Sequence, residues 1–325
     1  MTTMTYSKAT LAAMSEEMRR DDDVFLMGED IAKQGGIFGQ FKGLPQEFGL
    51  ERVRDFPISE AVLVSSAIGA AMTGSRPVID IHFSDFLGCA MDELLNQAAK
   101  ARFMSGGQAR VPWVVRAPEG AVKSAAAQHS QSLEAFFVHT PGWRVVSPST
   151  PQDAKGLLKT AIRSNDPVLF LEHKALYTSR GEVSDDHDLL IPLGKGVVRR
   201  PGSDVTLLSW SRTALLCQEA AEALAQEGID VEVIDLRSLS PWDQDLVVDS
   251  VSRTGRLLVA HEAPRTAGFG AEVAATVTER AFEHLKAPVR RVGNPDLPVP
   301  FAQPLEAAVI PDSALITQAV RSMLS

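Results

Sequence analysis

Strand-like and helix-like hydrophobic patterns alternate along nearly the whole chain, and this alternation limits its possible folds most strongly. Short apolar runs such as Val24–Met27 and Val205–Ser209 predict buried strands. Segments with helical spacing, among them Pro151–Arg163 and Ala214–Gln226, separate such strands. Because helices of this length connect parallel neighbours by right-handed crossovers, we predict an α/β protein with largely parallel sheets.

The domain organisation follows from length and from a break in the pattern. A chain of 325 residues is long for one domain and suits two. Periodicity weakens after about His173, where charged residues, glycine and proline accumulate. We therefore predict two three-layer α/β/α domains, residues 1–175 and 203–325, joined by a linker over residues 176–202.

Three local predictions concern the surroundings of a site. The segment Gly28–Gly43 contains five glycines and is predicted to be a ligand-facing loop. Ser59 is predicted to cap a helix that runs to Met72. The segment Phe86–Arg102 has a helical pattern and is predicted to be one helix.

Composition excludes several classes of protein. The formal net charge of -9 argues against unaided nucleic-acid binding, which needs a basic surface. No run approaches the roughly 18 apolar residues of a membrane span, and the N-terminus lacks the pattern of a secretory signal. Cys89 and Cys217 show no metal-ligand spacing and are predicted to be buried, reduced thiols. We therefore expect a cytoplasmic protein without a membrane or nucleic-acid partner.

Three residues are candidates for chemistry, and the residues alone leave each with two interpretations. Glu60 lies just inside a predicted helix N-terminus, where a carboxylate either complements the helix dipole or serves a reaction. His129 lies in the polar cluster Ala126–Gln131 of a long irregular segment and is either structural or catalytic. Phe86 belongs either to the core or to a ligand-binding surface.

Two other enzyme classes receive little support. No Gly-x-Ser-x-Gly motif surrounds Ser130 or His129, which disfavours a hydrolase. Gly268-Phe-Gly270 lacks a third glycine in register, and no Gly-x-x-x-x-Gly-Lys-Ser/Thr motif occurs. A nucleotide-dependent dehydrogenase is therefore disfavoured as well.

An ordered set of short motifs resembles one family over essentially the whole chain. The chain resembles the beta subunits of thiamine-diphosphate-dependent pyruvate, branched-chain 2-oxo acid and acetoin dehydrogenases. The matching segments are Met27-Gly-Glu-Asp30, Pro57-Ile-Ser-Glu60, Phe83-Ser-Asp-Phe86, Met104-Ser-Gly-Gly107, Ala126-Ala-Gln-His-Ser-Gln131, Val146-Ser-Pro-Ser-Thr150, Asp153-Ala-Lys-Gly156, Phe170-Leu-Glu-His-Lys174, Leu236-Arg-Ser-Leu239, Ala260-His-Glu-Ala263 and the Pro295–Pro304 segment.

The resemblance implies a pyrimidine-binding first domain, a transketolase C-terminal-like second domain and bound thiamine diphosphate. The glutamate matching Glu60 would hydrogen-bond the aminopyrimidine and favour the tautomer that forms the C2 ylide. A ring matching Phe86 would pack on the pyrimidine, and a histidine matching His129 would face the substrate and the lipoyl group. The other pocket positions that the resemblance implies are Glu29, Ile58 and His82.

Two positions of the resemblance show departures from the family pattern. Family members often carry methionine where this chain has His82, which places an ionisable ring near the cofactor. Some relatives hold a potassium ion, and Ser164 and Asp166 differ from the pattern expected there. Because hard cations bind backbone carbonyls, the ion itself remains implied. The matching potassium positions are Trp113, Ala161, Ile162, Ser164 and Asp166.

The resemblance also implies a partner chain. The magnesium–diphosphate motif Gly-Asp-Gly is absent from this sequence, as expected if an alpha subunit holds magnesium and the diphosphate. We therefore expect an α2β2 heterotetramer that shares the cofactor and passes its acyl group to a lipoyl-bearing acyltransferase.

The substrate and the catalytic role are expected as follows. The segments Phe83–Phe86 and Leu171–Lys174 look closer to those of acetoin dehydrogenase subunits. As the substrate we therefore prefer acetoin slightly over pyruvate or a branched-chain 2-oxo acid. A non-catalytic interaction subunit of the same fold is the alternative from another class of protein.

Overall fold

The computed structural model describes residues 1–324, which form two compact units. The first unit comprises residues 1–119 and 136–193. The second comprises residues 120–135 and continues from Gly194 to the end of the described chain. Within residues 1–324, no helix combines the length and the apolar content needed to cross a membrane.

The first unit is built on a parallel sheet. In chain order, its strands are β1 (Thr2–Thr5), β2 (Val24–Gly28), β3 (Val53–Asp55), β4 (Arg76–Asp80), β5 (Val114–Glu119), β6 (Arg144–Val146), β7 (Val168–His173) and β8 (Arg180–Val183). Strands β6, β7, β5, β4, β2 and β3 lie side by side in this order, and all neighbouring pairs are parallel. Strands β1 and β8 form a separate antiparallel pair. The parallel α/β prediction is confirmed.

Helices cover this sheet, and their ends follow local sequence signals. The helices within residues 1–193 are α1 (Tyr6–Arg20), α2 (Leu44–Phe48), α3 (Glu60–Met72), α4 (Ala101–Met104), α5 (Glu134–Val138) and α6 (Pro151–Arg163). Thr5 and Thr150 cap α1 and α6 through their hydroxyls, and Pro151 occupies the first turn of α6. Ser59 occupies the N-cap position of α3 and the helix ends at Met72 as predicted, but the Ser59 side chain makes no capping hydrogen bond. The first backbone hydrogen bond of α3 runs from the Leu63 N–H to the Ser59 carbonyl at 2.9 Å.

The predicted single helix over residues 86–102 is also wrong. The segment contains a 3-10 helix over Ser84–Ala90, a π-helix over Glu93–Ala98 and then α4. The Leu94 carbonyl accepts from the Ala99 N–H at 3.3 Å, which is π-helical pairing, and also from the Trp143 indole N–H at 3.1 Å. A Cβ at Gly142 would lie 1.9 Å from the Ala99 carbonyl oxygen, so the two backbones touch here. These long-range contacts explain the widened turn.

The core of the first unit lies between the sheet and the pair formed by α1 and α6. Met14 and Met18 of α1, Leu157 of α6 and Phe170 of β7 are fully buried within one apolar cluster. Burial of each such side chain contributes about 1.5–3 kcal/mol. This packing fixes the strands whose carboxyl ends carry the candidate site.

The second unit contains a five-stranded sheet of the same type. The strands within residues 194–324 are β9 (Val197–Arg200), β10 (Val205–Ser209), β11 (Val231–Asp235), β12 (Ser238–Ser240), β13 (Leu257–Pro264) and β14 (Arg290–Asn294), and all of them except β12 belong to this sheet. Its helices are α7 (Ser211–Ala225), α8 (Gln244–Thr254), α9 (Phe269–Ala281), α10 (Gln303–Val309) and α11 (Ser313–Leu324). The sheet order is β14, β13, β10, β11 and β9, and only β9 runs antiparallel to its neighbour. Strands β8 and β9 lie within the segment that we predicted as a linker.

Candidate active site

The carboxyl ends of β2, β3 and β4 bring four of the predicted residues to one edge of the first unit. Parallel strands end at a common edge, which is where open α/β sheets bind ligands. Glu29 directly follows β2, and His82 lies two residues beyond β4. After β3 the Phe56 N–H donates to the Gly28 carbonyl at 2.8 Å, which turns the chain toward α3. Glu60 therefore begins α3 at this edge, half-buried, beside an Ile58 that is 85% exposed.

Glu29 and His82 form the closest polar contact of this edge. The His82 Nε2 lies 2.9 Å from the Glu29 carbonyl oxygen, and Nδ1 lies 3.3 Å from the Glu29 Oε2. Glu29 is only 7% exposed. Burial raises the pKa of the Glu29 carboxyl, His82 lowers it, and the neighbouring Glu60 and Asp30 raise it further. The electrostatic coupling shows that Glu29, Glu60 and His82 share one environment.

Phe86 belongs to an aromatic cluster rather than to the fully buried core. Its ring is half-buried and meets Phe83 edge-on at a centroid distance of 5.6 Å. Phe38 contacts Phe83 at 6.0 Å and Tyr177 at 5.2 Å. Such aromatic pairs contribute about 0.5–1.5 kcal/mol beyond the area that they bury. The cluster anchors the glycine-rich loop, because Phe38 is part of it.

The conformation of that loop depends on its glycines. Gly35, Gly36 and Gly39 have φ values of 82°, 81° and 71°. Glycine adopts this left-handed region without the steric penalty of other residues. The loop thereby folds back and presents Phe38 to the aromatic cluster.

A buried ionic network that sequence analysis missed lies below this edge. Arg116 and Glu172 are both fully buried, and Arg116 Nη2 donates to both carboxylate oxygens of Glu172 at 2.9 and 3.0 Å. The Tyr177 hydroxyl donates to the same carboxylate at 3.2 Å, and the Phe41 ring lies 4.7 Å from the Arg116 guanidinium. These contacts compensate the cost of burying two charges.

Asp80, the last residue of β4, adjoins this network. It is 1% exposed, and neither carboxyl oxygen accepts a hydrogen bond. The Gln40 amide faces this carboxyl, but its nitrogen completes no hydrogen bond. Burial raises the pKa of Asp80 to about 7, with Arg116 and His82 opposing the rise and Glu172 adding to it. The only sequence signal was a carboxylate at the end of an apolar strand.

His129 belongs to the second unit, in the segment 120–135. It is half-buried, and its backbone N–H donates to the Ala126 carbonyl at 3.4 Å. Lys123, Ser124 and Ala126 of this loop have φ values of 41°, 63° and 64°. A left-handed conformation costs a non-glycine residue about 1–2 kcal/mol, so the loop stores strain.

Carboxylates of the second unit hold this loop. The Ala121 N–H donates to the Glu262 Oε1 at 2.6 Å, and the Ser124 N–H donates to the Glu306 Oε2 at 3.0 Å. Burial raises the pKa of Glu134, at the end of the loop, to about 7, and the nearby Glu262 contributes to this rise. The neighbouring His261 is fully buried with its Nδ1 3.1 Å from the Ala263 carbonyl oxygen, and burial lowers its pKa to about 4.

The five potassium positions do not fit a potassium ion in this arrangement. Arg76 Nη1 donates to the carbonyls of Ile162 and Ser164 at 3.0 and 2.9 Å. The Ala161 carbonyl accepts from the Ser164 N–H at 3.1 Å, and the Trp113 carbonyl accepts from the Val168 N–H at 3.2 Å. The Asp166 carboxylate pairs with Arg102 and Arg144. Because arginines donate to three of the five positions, Ile162, Ser164 and Asp166, a cation is disfavoured there, and no metal role is proposed for these residues.

The fold and the edge described above define a protein of the transketolase type with two α/β units. The family model of the transketolase pyrimidine-binding domain matches residues 2–180, and that of the transketolase C-terminal domain matches residues 194–316. A solved structure described as a split-gene transketolase, an inactive β4 tetramer, superposes with a TM-score of 0.80. It is 24% identical and covers 99% of this chain and 98% of its own, which shows the shared fold.

Curated relatives identify a narrower family within the transketolase type. The beta subunit of the pyruvate dehydrogenase E1 component from Rhizobium meliloti is 44% identical over 99% of this chain and 70% of its own length. In Bacillus subtilis, the beta subunit of acetoin:2,6-dichlorophenolindophenol oxidoreductase is 44% identical, over 98% of this chain and 96% of its own. The 2-oxoisovalerate dehydrogenase beta subunit of that species is 41% identical over 99% of both chains. The chain belongs to this family of E1 beta subunits of 2-oxo acid and acetoin dehydrogenase complexes.

Proposed function

We propose that this chain provides the aminopyrimidine-activating half of a thiamine-diphosphate-dependent E1 enzyme. The observation that carries the proposal is the half-buried Glu60 carboxyl at the start of α3, in the same acidic environment as Glu29 and His82. A carboxyl group in such a place can hold a proton and deliver it to a ring nitrogen.

The residues present fit the aminopyrimidine of the cofactor. Ile58 offers an exposed apolar side chain two residues before Glu60, and Phe86 offers a half-buried ring. When bound, thiamine diphosphate supplies the electron sink for cleavage of a bond next to a carbonyl. Glu60 would hold the proton at the pyrimidine nitrogen, while Ile58, Phe86, Glu29 and His82 would orient the ring. By family resemblance, His129 would act on the substrate and the lipoyl group.

The proposal also includes a partner chain, an acyl acceptor and a substrate. The sequence has no Gly-Asp-Gly motif, so we infer that an alpha subunit binds magnesium and the diphosphate in an α2β2 heterotetramer. We further propose that the acyl group passes to a lipoyl-bearing acyltransferase. Acetoin is our preferred substrate because of Phe83–Phe86 and Leu171–Lys174, with pyruvate and branched-chain 2-oxo acids as alternatives.

The test of Glu60 needs a control for the helix dipole. Glu60→Gln in the reconstituted enzyme should lower kcat by about 10²–10⁴-fold, the usual contribution of a positioned acid or base. Glu272 lies in the first turn of α9 and is exposed, so Glu272→Gln removes a helix-terminal carboxylate outside the site. That control should retain activity. Near wild-type turnover of Glu60→Gln would restore the helix-dipole interpretation.

Dependence on the partner tests the split site. The purified chain alone should show little cofactor-dependent cleavage, and addition of its alpha subunit should produce a heterotetramer and activity. Assays with acetoin, pyruvate and branched-chain 2-oxo acids then identify the substrate. Robust cleavage by the isolated chain would refute the split site. A heterotetramer that binds cofactor no better than the alpha chain alone would favour the non-catalytic subunit.

A further inference from the structure

Both ring nitrogens of His82 face oxygens of one residue, Glu29. The Nε2 lies 2.9 Å from the Glu29 carbonyl oxygen, which can only accept. The Nδ1 lies 3.3 Å from the carboxyl Oε2 of the same residue. A neutral imidazole carries a proton on one nitrogen and a lone pair on the other. Because the carbonyl can only accept, Nε2 carries a proton and donates to it. The contact between Nδ1 and the Glu29 Oε2 is then attractive only if a second proton lies between these two atoms.

Two arrangements satisfy this requirement, and both hold the same number of protons. In one, an imidazolium faces a carboxylate; in the other, a neutral imidazole accepts from a protonated carboxyl. A shift of one proton between Nδ1 and Oε2 interconverts them without a change in net charge. The state without that proton sets two lone pairs against each other at 3.3 Å, inside a contact whose side chains are 14% and 9% exposed.

The surrounding charges favour retention of this proton. Glu60 and Asp30 act on Glu29 with negative charge, and His82 is the only cationic group among the principal influences on its carboxyl. On the β4 side, His82 faces Asp80. The Arg116 guanidinium beyond it is already paired with a carboxylate. The negative charges around the pair therefore stabilise the proton that His82 and Glu29 share.

We propose that His82 and Glu29 form a proton-sharing pair, in which His82 is a positioning residue that fixes the orientation and charge of the Glu29 carboxyl beside Glu60. The proposal deepens the proposed function and rests on it for its catalytic consequence. The proton-sharing pair itself involves only residues of this chain. Methionine at position 82, the residue often found in the family, provides neither a proton nor a charge.

The direct test is carboxyl-carbon NMR of the chain with ¹³C-labelled glutamate side chains. Glu29→Gln identifies the Glu29 signal by its loss. Because His82 lowers the pKa of Glu29, His82→Met should move the Glu29 titration to higher pH. His82→Gln keeps a neutral donor for the Glu29 carbonyl but no charge, so it should move the titration in the same direction. His139 is exposed, and His139→Met is the control that should leave the Glu29 signal unchanged.

The catalytic consequence is tested in the reconstituted enzyme with a double-mutant cycle. His82→Met should lower kcat/KM roughly tenfold at pH 6 and little at pH 8, because the ionised Glu29 is the form that His82 favours. On a Glu29→Gln background, the same change should have no pH-dependent effect. An equal loss at both pH values would show a merely structural role and overturn the positioning role.

The His82–Glu29 pair and the proposed function can be refuted independently of each other. A Glu29 titration that stays in place or moves to lower pH in His82→Gln overturns the pair, whatever the activity. Should His82→Met not fold, His82→Gln decides the matter. If the reconstituted wild type lacks thiamine-diphosphate-dependent activity, the proposed function fails, while the carboxyl titration still decides whether the pair exists.

Discussion

Replacement of Asp80 by asparagine should shift the difference in unfolding free energy from the wild type in favour of the variant as the pH rises. Burial raises the pKa of Asp80 to about 7 in the folded chain, from an ordinary value of 3.8. Between these pH values the folded state keeps a proton that the unfolded state has lost. Stability therefore falls with rising pH in this window, by about 1.4 kcal/mol per pH unit.

The magnitude follows from the width of the window. From pH 5 to pH 7, the wild type should lose roughly 2.3 kcal/mol through this one group, and only about 0.4 kcal/mol more by pH 8, because the folded carboxyl is itself half ionised near pH 7. Asparagine has nearly the same shape and no ionisable proton. The difference in unfolding free energy between Asp80→Asn and the wild type should therefore shift by this amount in favour of the variant. Burial of the asparagine amide changes the unfolding free energy equally at every pH. This cost therefore cancels when the stability differences at two pH values are compared.

Urea unfolding followed by circular dichroism at pH 5, 6, 7 and 8 measures this difference. Asp22 has a fully exposed side chain, so Asp22→Asn controls for loss of a surface carboxylate. A stability difference between Asp80→Asn and the wild type that is the same at every pH would refute the reasoning. It would show that the Asp80 carboxyl is ionised in the folded chain throughout this range.

Three further predictions concern other parts of the molecule. Glu172→Gln should destabilise the first unit by about 3–5 kcal/mol in urea unfolding, because it leaves the Arg116 charge buried without its partner; a loss below about 1 kcal/mol would contradict this. Cys217 is buried as predicted, but Cys89 is exposed, so that part of the prediction is wrong. At pH 8 an alkylating reagent should therefore label Cys89 and spare Cys217, whose pKa burial raises to about 12; mass spectrometry showing two rapid modifications would argue otherwise. His129→Ala should impair turnover more than cofactor affinity, and a large affinity loss with normal turnover at saturating cofactor would count against its proposed role.

Much of the architecture was predictable because its signals are local. Apolar runs and helical spacing predicted the strands β2 and β10 and the helices α6 and α7 close to their observed bounds. The ordered motifs predicted the family. These features depend on neighbouring residues, since periodicity and helix capping act over a few positions.

The tertiary structure alone decided the remaining features. Strands β1 and β8 are stabilised mainly by pairing with each other across more than 170 positions of the chain. The helix predicted over residues 86–102 widens to a π-helix at Glu93–Ala98, where the Trp143 indole N–H also donates to the Leu94 carbonyl. Neither contact leaves a pattern within the segment that it changes.

In the candidate site as well, the sequence determined some features and the tertiary structure decided the others. The sequence determined that Glu29, Glu60 and His82 were present, and the family motif drew attention to each of them. Only the parallel sheet, by ending β2, β3 and β4 at a common edge, placed two ring nitrogens of His82 against Glu29. The charge state of a carboxyl depends on its burial and on neighbours that are distant in the chain. For that reason the raised pKa values of Glu29 and Asp80 became visible only in the folded structure.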